Sequence, residues 1–235
     1  MLFIVSTPIG NLEDITLRAI RTLKEVDFIA AEDTRHSKIL LDKYEIHKPT
    51  ISFHAWSDDR KLHELIGILQ QGKKIALISD AGTPGISDPG YVLIKAALEN
   101  KIPVIPIPGP SAFLTALSAS GLPINQFVYI GFLPVKKGRQ TLFKSFLEEK
   151  RTIVFYESPH RLLKTLSELS KIFPDRPLVI ARELTKIHEE FFRGTLVQAS
   201  EYFQKKLPKG EFVLLLGPAQ KHGKSDHDEN DFNAE

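Results

Sequence analysis

Five stretches of this 235-residue chain gather residue types that bind polar ligands or move protons, and each follows an apolar, strand-like run. Ala31-Glu32-Asp33-Thr34-Arg35-His36 collects two carboxylates, a hydroxyl and two potential cations. Such a set can accept a proton or grip a phosphate, although Asp33 or Thr34 could equally cap a helix whose dipole the acids complement. In Tyr156-Glu157-Ser158-Pro159-His160-Arg161, Pro159 suits a first helical turn and Ser158 a cap, which leaves the Tyr-Glu and His-Arg flanks unexplained. Ser6-Thr7-Pro8-Ile9-Gly10-Asn11-Leu12 offers close backbone approach at Gly10 and amides for a ligand. Pro106-Ile107-Pro108-Gly109-Pro110-Ser111-Ala112 offers the amides near Ser111 and Ala112, or a simple cap by Ser111. The fifth stretch, Ser79 to Gly90, packs three glycines, two prolines and two aspartates into twelve residues. Strand-to-helix loops ordinarily run to roughly 2–6 residues, so this one reads as a preformed pocket wall at the carboxyl end of a strand.

The elements that must position these loops alternate. Apolar runs at 2–6, 27–31, 75–79 and 103–107 predict strands, and helical spacing marks 14–25, 35–44, 58–70 and 90–99. Asp14 and Ser57 are the expected N-caps of the first and third helices. Alternation of this kind predicts a mostly parallel sheet with helices on both faces. After a small-residue helix from Ser111 to Ser120, Gly121-Leu122-Pro123 breaks the chain. The expected boundary lies there, giving an N-terminal α/β domain over 1–120 and a C-terminal one over 121–219. The second half offers strands at 127–133, 152–157, 177–182, 190–196 and 211–216 and helices at 139–150, 160–172 and 198–206. Two consecutive strands near 178–196 predict a mixed or antiparallel sheet. Residues 220–235 are polar and acidic and are expected to be disordered.

Composition narrows the chemistry. With no cysteine, disulfides, thiolate metal sites and cysteine nucleophiles are excluded, and no apolar run approaches the ~18 residues of a membrane span. The expected location is the cytoplasm. No G-x-G-x-x-G follows the first strand, and Walker, G-x-S-x-G and H-E-x-x-H motifs are missing. The net charge of +2 hides an asymmetry, since residues 121–220 carry 16 basic and 10 acidic side chains. Lys136-Lys137-Gly138-Arg139 concentrates that excess in one loop able to hold phosphates without reading sequence.

Taken together, Pro8-Ile9-Gly10-Asn11-Leu12-Glu13-Asp14, Glu32-Asp33-Thr34-Arg35, Ser79 to Gly90, Pro108 to Ala112, Tyr156 to Arg161 and Arg182-Glu183-Leu184-Thr185-Lys186-x-x-Glu189 resemble the tetrapyrrole-methylase superfamily in order and spacing. They look most like its branch that methylates the 2′-hydroxyl of a cytidine in 16S ribosomal RNA. The resemblance covers roughly residues 1–218. It implies two α/β domains with a cleft between them that holds S-adenosylmethionine, in a homodimer. By motif matching it implies donor contacts from Pro8, Gly10, Asp80, Gly82, Thr83, Pro84, Gly85, Ser111, Ala112, Tyr156, Ala181, Arg182, Gly210 and Glu211. A ribose hydroxyl needs in-line alignment and a proton acceptor. Glu32, Asp33, Glu157, His160 and Glu183 are the candidates, with Arg35, Arg161 and Lys186 as phosphate ligands or cations that favour the alkoxide. Arg35, Lys136, Lys137, Arg139, His160 and Arg161 are the expected RNA contacts, with the small ribosomal subunit as partner. Two other readings share these motifs: a carbon methyltransferase for tetrapyrroles, and a non-catalytic RNA-binding module.

Overall fold

The structure is a computed structural model that describes residues 1–54, 59–86 and 90–219. Ser57, the three residues before Gly90 and the acidic tail lie outside the described residues. The first sheet is parallel throughout, in the order β3-β2-β4-β1-β5: β3 is Thr50–Ser52, β2 Phe28–Ala31, β4 Ile75–Ile78, β1 Leu2–Val5 and β5 Val104–Ile107. The two-residue period of a strand sends Leu2 and Ile4 to one face of β1 and Val5 to the other. The first two helices, α1 (Leu17–Glu25) and α2 (Thr34–Lys43), cover the Val5 face. The next two, α3 (Asp59–Gln70) and α4 (Tyr91–Glu99), cover the other. The chain therefore leaves neighbouring strands β1 and β4 toward opposite faces. Their carboxyl ends form a topological switch point, where a crevice opens and ligands of α/β sheets bind.

The second sheet runs β6-β7-β10-β8-β9, with β6 Phe127–Phe132, β7 Thr152–Glu157, β10 Phe212–Leu216, β8 Pro177–Arg182 and β9 Glu190–Thr195. Only β6 and β7 pair in parallel, which gives the mixed sheet that the spacing predicts. One face carries α6 (Arg139–Ser145), α7 (Pro159–Ser170) and α8 (Leu196–Lys205) over a core of leucines and phenylalanines. The other face receives α5 (Ala112–Ser118), whose Phe113, Ala116 and Leu117 pack with Ile9, Val154, Val179 and Val213. One apolar cluster thus ties the β1 loop and α5 to the second sheet.

Several local expectations change. Strand β3 has three residues, follows Pro49 and was not among the predicted strands. Asp14 ends a short 3-10 turn, and Thr16 caps α1 by accepting from the Ala19 amide. Asp33 caps α2, whereas Ser111 and Ser158 make no side-chain capping bond.

Candidate active site

At the switch point the β1 and β4 loops are bonded to each other. Thr7 and Gly82 exchange both backbone hydrogen bonds, the N···O distances being 2.8 and 3.0 Å, and the Thr7 hydroxyl donates to the Ser79 carbonyl at 3.0 Å. Gly82 sits at φ +78°, a left-handed conformation in which L side chains are strained. Thr83 Oγ1 lies 2.8 Å from Ser6 Oγ and donates to the Pro110 carbonyl at 3.3 Å, so the β5 loop joins the same frame. This frame is a partition with a cavity on each side.

The first cavity, about 360 Å³, lies between the two sheets. Gly82, Thr83, Ser111 and Ala112 line it from the first sheet's loops, and Phe132, Tyr156, Leu184, Gly210 and Glu211 from the second. The Phe132 and Tyr156 rings, with centroids 5.4 Å apart and planes tilted by 57°, give one wall an aromatic lining. Among the described residues that line it there is no lysine, arginine or histidine; Glu211 is an acidic lining residue, whereas the Glu157 side chain is fully buried. A cationic ligand meets no basic side chain on these walls. The second cavity, about 390 Å³, opens beside α2 and is lined by Pro8, Gly10, Ser37, Leu40, Asp80 and Lys186 among others. Ile9, Ala81 and Glu211 border both cavities.

A loop of the second half closes onto the first. Glu183 and Thr185 both take positive φ, +50° and +65°, which for a β-branched threonine is a strained conformation. Thr185 Oγ1 accepts from the Asn11 amide at 3.0 Å and its own amide donates to Glu189 Oε2 at 2.6 Å. Burial pushes the Glu183 carboxyl up, but the Glu211 amide and Lys186 outweigh it and hold it below its ordinary range. Lys186 Nζ reaches Glu183 at 3.0 Å and Glu211 at 3.1 Å. Burial opposes its charge, yet these partners keep its pKa above the usual lysine value.

The description "Tetrapyrrole (Corrin/Porphyrin) Methylases" fits a family model that matches residues 1–200. The chain belongs to this family. Its relatives include ribosomal RNA small subunit methyltransferase I of Thermotoga maritima, 51% identical over 215 residues, spanning 92% of this chain and 97% of that protein. The protein of the same name from Synechocystis sp. is 52% identical over 221 residues, spanning 93% and 79%. Among solved structures, the uroporphyrin-III C-methyl transferase of Thermus thermophilus complexed with S-adenyl homocysteine superposes with a TM-score of 0.62 at 20% identity, over 92% of this chain and 96% of that one. Diphthine synthase superposes at 0.70 and 12% identity, over 92% and 89%. At those identities the likeness is one of fold.

Placed on the methylase fold, the residues proposed for the donor divide. Gly82, Thr83, Ser111, Ala112, Tyr156, Gly210 and Glu211 line the first cavity, whereas Pro8, Gly10 and Asp80 line the second. Pro84, Gly85, Ala181 and Arg182 line neither. Ala181 is fully buried in the cluster between the sheets, and Arg182 is engaged by Glu190 at 3.0 Å and the Lys209 carbonyl at 2.6 Å. Gly10 serves packing: a Cβ there would fall 2.6 Å from Lys186 Cγ and 2.8 Å from Thr185 Oγ1.

Several residues singled out for chemistry hold the fold instead. Glu157 is closed off: it meets Arg161 at 2.6 Å, the Thr165 hydroxyl at 2.6 Å and the Ser158 amide at 2.8 Å, with Arg139 3.9 Å away. Both its oxygens are occupied, which removes it as proton acceptor. Arg139 is corrected too, being 5% exposed and bonded to Glu168, Thr165 and the Pro134 carbonyl, so it cannot reach a phosphate. Arg161 is spent on Glu157 and the Leu133 carbonyl. Arg35 is exposed and chelated by Asp33, whose carboxyl it holds far below its usual range. Glu32 is half-buried beside the Asp80 amide, and burial raises its pKa. Lys136, Lys137 and His160 remain exposed. The cavities add Phe132 and Val213 in the first and Ser37 and Leu40 in the second, which no motif contains, and Ile9 and Leu184, which lie inside motifs but were not singled out as site residues. Ser37 alone carried a readable sign, a polar residue at helical spacing from the buried pair Leu40 and Leu41.

Proposed function

We propose that this methylase transfers a methyl group to the 2′-hydroxyl of a cytidine in small-subunit ribosomal RNA, with S-adenosylmethionine as donor. The observation that carries the reading is identity of about one half, over nearly the whole chain, to relatives called ribosomal RNA small subunit methyltransferase I. When bound, the donor supplies an electrophilic methyl on a sulfonium: the S–C bond breaks with its electron pair on sulfur, an O–C bond forms, and the hydroxyl loses a proton. The first cavity suits that group, having an aromatic wall, backbone at Gly82 and Gly210, and no basic lining residue among those described. Gly82, Thr83, Ser111, Ala112 and Tyr156 hold the donor in line, the positioning that provides much of the rate. The proton passes to a carboxylate other than Glu157. Asp80 and Glu211 border the second cavity, and Lys186 there biases the hydroxyl toward its alkoxide.

The same reading makes an assembled small subunit the substrate, because a splayed nucleotide exposes its ribose. It makes a homodimer the working form, in keeping with the exposed Tyr91 and Val92 on α4 and Leu114 on α5. Lys136 and Lys137 are its phosphate contacts. The test is transfer of labelled methyl from S-adenosylmethionine to assembled small subunits, followed by nuclease digestion. Label on a cytidine 2′-oxygen is the expected result; label on a base, or on a porphyrinoid alone, would overturn it. Failure of calorimetry to detect donor binding would favour the non-catalytic module.

A further inference from the structure

The second cavity holds a group that the donor site leaves unexplained. Ser37 lies in the first half of α2, is 3% exposed and lines the cavity. Its amide donates to the Asp33 carbonyl at 3.0 Å, but its hydroxyl has no hydrogen-bond partner among the described residues. An unpaired hydroxyl in a core position is destabilising, so its presence calls for an explanation. Because the hydroxyl has no bond to lose, rotation about χ1 can present it to an occupant of the cavity at little cost.

The rest of the lining suits one class of occupant. Ile39 and Leu40 on α2, with Ile78 beneath, offer an apolar face to a flat ring. Asp80 and Lys186 stand among the same lining residues, fixed by the Asp33 amide at 3.1 Å and by Glu183 and Glu211. A ring against aliphatic side chains with sugar hydroxyls near a carboxylate and an ammonium describes a nucleoside swung out of an RNA strand. The partition between Thr7 and Gly82 places this cavity next to the donor's, sharing Ile9, Ala81 and Glu211 as border.

We infer that the cavity beside α2 receives the acceptor nucleotide and that the Ser37 hydroxyl bonds to it. The inference rests on the RNA-methylating reading above. Two variants test it in the full-length protein. Ser37→Ala removes the hydroxyl, and Ile39→Trp, at an exposed position, narrows the mouth. For Ser37→Ala the expected result is a loss of roughly 3- to 10-fold in kcat/KM for small-subunit RNA, the worth of one hydrogen bond. For Ile39→Trp it is about tenfold or more, the worth of crowding a fitted site. Donor affinity by calorimetry should stay unchanged in both, and the Tm of Ser37→Ala should equal or exceed that of the parent. Unchanged kcat/KM in both variants overturns the inference, and so does weakened donor binding, which would assign the cavity to the donor. If the parent protein methylates no small-subunit RNA, the reading itself falls before either variant is compared.

Discussion

Arg139 and Lys136 stand three residues apart and do opposite things. Arg139 is a buried tie between α6 and α7, bonded to Glu168 at 2.7 Å and Thr165 at 2.7 Å, with Glu157 beyond. Arg139→Ala takes from the partly buried Glu168 its 2.7 Å partner and is expected to destabilise by about 1–3 kcal/mol in denaturant titration. Reversing charge at Lys136 and Lys137 should shift stability by less than about 0.5 kcal/mol, while weakening RNA binding and flattening its salt dependence. A sequence shows three basic residues in a row of four; burial depends on where α6 begins and on which side chain then faces α7. Gly10 shows the same limit, since its close neighbours lie some 175 residues away in the chain. Glu190 gives a pH signature. Burial would raise its pKa, but Tyr202, Lys206 and Arg182 lower it to about 2. A depressed carboxyl pKa adds stability above the ordinary carboxylate range, and that stability disappears as pH falls from about 4.5 toward 2. Glu190→Gln should therefore lower Tm at pH 7 and converge with the parent in strong acid; a constant difference across that range would contradict the assignment.

Among the elements, long strands and amphipathic helices are legible because burial imposes its period on the sequence. Leu65, Ile66 and Leu69 mark the inner face of α3, and Leu162, Leu166 and Leu169 that of α7. Strand β3 is not legible: three residues at a sheet edge show too little alternation to separate from a loop. Caps fail for a related reason, since Asp14 and Thr16 are both competent and the 3-10 turn decides between them. The loop from Glu183 to Lys186 owes its shape to docking against the β1 loop. Gly10→Ala should push that loop outward and destabilise by about 1–3 kcal/mol in thermal unfolding, because two of the three close neighbours are Thr185 Oγ1 and the Leu184 carbonyl. Full retention of stability would show that the loop yields easily.

For the whole molecule, the arrangement of two sheets turns scattered motifs into one site. No helix among the described residues is long and apolar enough to cross a membrane. The motifs supply residues for both cavities, but motif order alone cannot say on which side of the Thr7–Gly82 partition each residue falls. That partition has a kinetic meaning. On the proposed assignment of donor and acceptor to the two cavities, either can come or go while the other stays bound. Initial rates should then follow a random sequential scheme, in which S-adenosylhomocysteine competes with the donor but not with RNA. Strictly ordered kinetics, with one reactant unable to bind first, would mean that both share a single entrance.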